Sequence, residues 1–173
     1  MPHTMPLRGE PLPLDLVNTY WVDQGTPVDL FDSPAGLADW LTGHGLPAEP
    51  GDVASRLVET RDAIRATLTG EPDGPDRLNK VLAHGFQRWR VTVDGADLDS
   101  VTDRSWLAAW RCATEFARLL AERPERIRNC ANPVCVLWFV DTSKNGRRRW
   151  CSMEACGNRA KAGRFHQRHR GDA

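Results

Sequence analysis

Four cysteines near the C-terminal end have the spacing of a metal site. Cys130 and Cys135 form one pair, Cys151 and Cys156 the other, each with four residues between its members and fifteen between the pairs. A thiolate is a soft ligand that suits zinc, with a Zn–S bond of roughly 2.3 Å. Two such pairs a hairpin apart supply the tetrahedral shell of one structural Zn2+. A catalytic zinc would keep a coordination position open, and four thiolates leave none. His166 and His169, at i and i+3, are rival ligands by type, with a solvent-facing placement as the simpler alternative. Four ordinary reduced thiols are the other reading of the cluster. The turn, hairpin and helix signals around the pairs favour metal.

The elements that must bring these sulfurs together are legible around them. Asn132-Pro133 bends the first pair into a knuckle. Leu137 to Val140 is strand-like, Thr142 to Gly146 is turn chemistry, and Arg147 to Trp150 is expected to return as the second strand of a hairpin. Ser152 can cap a helix running to about Arg168, with Cys156 in its first turns. Knuckle, β-hairpin and helix together make a treble-clef zinc finger. Such a unit has little core of its own, so the metal would supply folding free energy on the order of 10 kcal/mol. Loss of the ion is therefore expected to unfold residues 123–173 and to leave residues 1–122 largely folded.

The formal charge is zero, yet it is unevenly divided. Residues 1–122 hold 11 Lys and Arg against 19 Asp and Glu, a balance of −8; residues 123–173 hold 12 against 4, a balance of +8. A tail this basic calls for an acidic partner. Arg147, Arg148 and Arg149 lie on the expected return strand, with Arg148 on the face opposite its neighbours. On the helix, Lys161, Arg164 and Arg168 share a face, flanked by Arg159 and Arg170. Lys and Arg hold phosphate oxygens, and Arg can also read guanine in a major groove. DNA is the expected partner, with RNA as a variant. The competing occupant of the basic face is an acidic protein surface, including that of residues 1–122.

Residues 1–122 read as a helix-rich α+β domain with one hairpin. Pro11 to Trp21 leans to helix. Ser33-Pro34 starts a helix with Leu37, Trp40 and Leu41 inward, and Gly43 is a plausible stop. Asp52 caps a longer helix, with Val53, Leu57, Val58, Ile64 and Leu68 mainly on one face and Arg56, Glu59, Arg61, Asp62 and Arg65 largely on the other. A short helix follows from Asp76. Trp89, Val91 and Val93 alternate with Arg88, Arg90 and Thr92, and Asp94-Gly95 then supplies a hairpin turn. A last helix, about Arg104 to Arg123, buries Trp106, Leu107, Trp110, Phe116, Ala117 and Leu120, with Cys112 in its core. Asn18 and Trp21 are candidate ligand-binding residues, being a polar and an aromatic group in an otherwise apolar segment. Asp15, Tyr20 and Asp23 could join them, although Asp15 and Asn18 serve equally well as caps or buried hydrogen-bonding groups.

The stretch Cys156-Gly157-Asn158-Arg159, with Cys130, Cys135 and Cys151 before it, resembles the CGNR zinc-finger family. Leu14-Asp15-Leu16-Val17-Asn18-Thr19, Asp29-Leu30 and Leu37-Ala38-Asp39-Trp40-Leu41 are similar to the ABATE domain that precedes this finger. The resemblance covers nearly the whole chain. It implies a stress-related transcription regulator, an ABATE domain followed by a treble-clef finger. Taken with the residues above, the finger is expected to bind DNA and the N-terminal domain to regulate or to sense a small-molecule effector. The resemblance also implies the four cysteines as ligands. Gly157 would then permit close packing under the metal, Asn158 would bond the knuckle backbone, and Arg159 would hold a phosphate or carboxylate.

An enzymatic reading lacks a site. There is no phosphate-cradling glycine loop, no GxSxG and no HExxH. Leu137 to Trp150 contains no histidine, which treble-clef nucleases of the His-Asn-His type need as general base. No run of about 18 apolar residues is present to span a membrane, and no secretory leader is legible at the start. A cytoplasmic location is the expectation.

Overall fold

The computed structural model describes residues 4–47 and 52–158. Its N-terminal part is helical around a single apolar core. Helix α1 (Leu12–Val17) has proline in its first turn and is buried along its whole length. It ends at Asn18, sooner than its apolar pattern suggested, and the chain turns into a small hairpin of β1 (Tyr20–Asp23) and β2 (Thr26–Asp29). Gln24 and Gly25 take left-handed backbone angles, φ 48° and 89°, which suits a two-residue turn between twisted strands. This hairpin was not expected from the sequence, and Gln24-Gly25 was its only local signal.

Ser33 caps α2 (Pro34–Gly43) by accepting from the Gly36 N–H, and Asp52 caps α3 (Val53–Thr69) by accepting from the Ser55 N–H. Then come α4 (Gly74–Leu82), β3 (Gly85–Thr92), β4 (Gly95–Thr102) and α5 (Leu107–Glu122). Helices α1, α3 and α5 pack on one another and enclose Leu14, Leu16, Leu57, Ile64 and Phe116. Cys112 is fully buried there, as expected.

Two features depart from the sequence pattern. By periodicity Arg61 falls on the polar face of α3, yet it is buried. Its guanidinium donates to both carboxylate oxygens of Asp29, at 2.8 and 2.5 Å, and to the Thr19 hydroxyl at 3.0 Å. Helical periodicity could not reveal this, because the partner that makes burial tolerable is 32 positions away. The β3–β4 hairpin forms in the expected place, but its apolar residues Trp89, Val91 and Leu98 face outward on one side, exposed. Alternation reported the strand and not a cover for it.

The C-terminal part joins the same core. Strand β5 (Ile127–Asn129) pairs antiparallel with β6 (Trp138–Val140). Phe139 is fully buried, and Leu137, Phe139 and the buried cysteines form one continuous cluster with the apolar residues of the helical part. The expected pairing of Leu137–Val140 with Arg147–Trp150 is not seen. Arg147 to Arg149 form no strand, and β6 takes β5 as its partner.

Candidate metal centre and basic face

Each sulfur is delivered by a different local device. Cys130 follows β5, and its N–H donates to the Leu137 carbonyl at 3.0 Å. The knuckle closes when the Cys135 N–H donates to the Asn132 carbonyl at 2.9 Å, while the Asn132 side-chain oxygen accepts from the Val134 N–H at 3.3 Å. The second pair is held beside the first because the Ala131 N–H donates to the Arg149 carbonyl at 2.8 Å. Cys156 sits in a wide helical turn, Met153–Gly157, whose Cys156 and Gly157 N–H groups both reach the Ser152 carbonyl. Gly157 lets the Met153 side chain lie against the turn: a Cβ there would come 2.7 Å from the Met153 sulfur and push that flexible side chain aside.

The four sulfurs lie within 4.8 Å of one another. Cys151 Sγ is 3.6 Å from Cys156 Sγ and 3.8 Å from Cys135 Sγ. A regular tetrahedron with bonds of roughly 2.3 Å has edges of about 3.8 Å, so the cluster has the size of a zinc shell. The Cys151 N–H and the Asn132 side-chain amide each point at a sulfur, Cys130 Sγ and Cys156 Sγ, at 3.4 Å. Such donors favour thiolates over thiols. Hydrogen bonding from Cys151 lowers the Cys135 thiol to about 5, while burial raises Cys130. A cation at the centre would draw all four to the thiolate form. The donor set, spacing and closed shell fit one structural zinc ion.

Around this centre the three consecutive arginines separate. Arg147 and Arg149 are exposed. Arg148 turns inward, with its guanidinium 4.1 Å from the Phe139 ring centre. It donates to the carbonyls of Trp150 and Cys151 and reaches Glu10 at 3.4 Å. Of the three arginines, Arg148 is the one whose charge is engaged inside the fold, while its side chain stays half-buried. Buried Asp141 explains why no return strand forms. Its carboxylate accepts from the Ser143 N–H and hydroxyl and from the Arg148 N–H at 2.9 Å, closing the loop by a side chain in place of a ladder. Arg159, Lys161, Arg164 and Arg168, like His166 and His169, lie outside the described residues.

Asn18 faces the finger. It is fully buried, and its amide pairs with the backbone of Trp138 in both directions: Nδ2 donates to the carbonyl at 2.9 Å and Oδ1 accepts from the N–H at 3.0 Å. Trp21 is buried in the core. A hollow of about 430 Å³ in the helical part is lined by residues that include Arg8, Asp15, Asp39 and Trp40. Glu10 adds a second clasp on β6, with its carboxylate accepting from the Val140 N–H at 2.8 Å. Sequence gave no signal for either clasp, since the partners are backbone groups more than a hundred residues away.

Fold and site together define a class: a helical domain docked on a four-cysteine zinc finger. The model of the family described as "Putative stress-induced transcription regulator", ABATE, matches residues 10–123, and that of the CGNR zinc finger matches residues 126–169. The chain belongs to the ABATE family and carries a CGNR zinc finger at its C-terminal end. No curated protein matches it. Both matched families are of regulator and zinc-finger type rather than enzymatic. Among the described residues, no helix is long and apolar enough to cross a membrane.

Proposed function

We propose that this protein is a transcription regulator that binds DNA through the basic face of its zinc finger. The observation that carries the reading is the placement of Arg147 and Arg149. Both are exposed beside the metal centre, and neither has a carboxylate partner among the described residues. They belong to a segment with a balance of +8. Arg159, Lys161, Arg164 and Arg168 extend the set on the sequence that follows. The N-terminal domain is the regulatory part, and it grips β6 through Asn18 and Glu10.

The rival reading, a basic finger docked on the acidic helical domain, draws support from the Arg148–Glu10 pair. That pair leaves Arg147 and Arg149 free for another acidic surface. Salt dependence separates the readings. If Arg147, Arg149, Lys161, Arg164 and Arg168 all meet phosphates, the logarithm of DNA affinity falls against the logarithm of salt with a slope of about −4 to −5. Arg149→Ala should flatten that slope by about one while weakening all sequences alike. An absence of DNA and RNA binding by the zinc-loaded chain at low salt would leave the finger as a protein-contact module.

A further inference from the structure

We propose that the hollow between the start of the chain and α2 is a binding site for a small organic amine, and that occupation of this site is felt by the zinc finger. The hollow has a volume of about 430 Å³, within the range of sites for small organic ligands. Met5, Leu30 and Trp40 supply an apolar wall. The charged groups on the wall are Arg8, Asp15, Asp29 and Asp39. Asp29 is neutralised by Arg61, at 2.5 Å. Of the rest, Asp39 is exposed at the mouth and has no ion-pair partner among the described residues. Asp15 is buried, and accepts from neutral donors, the Trp40 indole at 3.0 Å and the Gly9 N–H at 3.2 Å, with the His44 ring at 3.2 Å. With histidine counted as neutral, Asp15 and Asp39 against Arg8 leave the hollow with an excess of negative charge, and the His44 ring is a further polar group at the Asp15 carboxylate that could offset it. An ammonium head between Asp15 and Asp39, with an apolar body against Trp40, complements it in charge and in shape.

The same short stretch of chain that walls the hollow also holds the finger. Arg8 and Asp15 line the cavity. Gly9 is tied to Asp15, and its neighbour Glu10 holds the Val140 N–H and the Arg148 guanidinium. Asp15 lies on α1, one turn before Asn18, which pairs with Trp138. A ligand that draws on the Asp15 carboxylate competes with the Gly9 and Trp40 bonds, and any shift of residues 8–18 is passed to both clasps on β6. The binding claim stands independently of DNA; only its regulatory consequence rests on the function proposed above.

The test uses the full zinc-loaded chain without DNA, followed by amide and indole NMR. Phenethylamine is the cationic probe, and 3-phenylpropionate, of similar size and opposite charge, is the control. Phenethylamine at about 10 mM should shift the Trp40 indole and Gly9 amide signals, and with them the Trp138 and Val140 amides. The carboxylate should bind at least roughly tenfold more weakly, and Asp39→Lys, at an exposed position that leaves folding intact, should weaken the amine by a similar factor. No shift with the amine overturns the site. Equal binding of both probes, or indifference to Asp39→Lys, overturns the chemical class. Shifts confined to Trp40 and Gly9 overturn the link to the finger. Loss of DNA binding would bear on none of these outcomes.

Discussion

Arg148 and Asn132 show how far a residue's neighbours decide its task. Arg148 is flanked by two exposed arginines of the same type, yet it stacks on Phe139 and is spent on carbonyls and Glu10. Asn132 lies between two ligands in sequence, and its amide points at the sulfur of a third, Cys156. A donor to a coordinated thiolate holds the ligand's orientation and offsets its charge. Removing such an outer partner typically costs about 10–100-fold in metal affinity. Asn132→Ala should therefore weaken zinc by that order in a competition titration against a chromophoric chelator, with the ion still bound at one per chain at saturation. The ligands themselves were legible because their chemistry is carried by spacing along the chain. The roles of Arg148 and Asn132 were not, because each depends on which atoms the fold brings opposite.

At the scale of elements, the buried Arg61–Asp29 pair ties α3 to the β1–β2 hairpin. Burial alone would raise the Asp29 carboxyl, but the bonds from Arg61 and from the Phe31 N–H together outweigh it, and the net shift is downward. A carboxylate depressed in the folded state stabilises fully above its unfolded value, about 3.9, and that stabilisation is lost as pH falls through the lower folded value. Asp29→Asn should cost about 3 kcal/mol at neutral pH, since it leaves a buried guanidinium without its counter-charge. The variant and the parent should converge as the pH drops below about 4, as read by urea unfolding across pH. A constant gap down to acid would show that the ion pair contributes nothing. Helices α2 and α3 and the β3–β4 hairpin were legible from capping residues and periodicity, which are local signals. The β1–β2 hairpin and β5 escaped because strands of three or four residues carry little pattern, whereas β6 was legible as a strand and only its partner was missed.

Across the whole molecule, the division into an acidic part and a basic part is a division of charge and not of core. Leu137 and Phe139 belong to the same apolar cluster as the helices, and Asn18 and Glu10 are satisfied only by β6. Residues 1–122 are still expected to stay largely folded when the metal is lost, but with reduced stability, because these contacts couple the two parts. Asn18→Ala would strand the N–H and carbonyl of Trp138, at about 2–3 kcal/mol for the two groups together. Removal of zinc should likewise lower the thermal midpoint of the helical part, seen by helix circular dichroism in the full chain with and without chelator. An unchanged midpoint would mean that the two parts are energetically separate despite their contact.

The burial of Cys112 gives the molecule an internal clock. Five cysteines are present, four gathered at one centre and the fifth sealed among α1, α3 and α5, where burial also pushes its thiol well above the usual range. A thiol reagent attacks the thiolate and needs access to it. With zinc bound, alkylation should be slow at every position. After chelation, four groups should react promptly and one late, and the lag of that last label measures how often the helical core opens. Mass spectrometry over time would then record metal release and core opening in a single sample, as two separate steps in added mass.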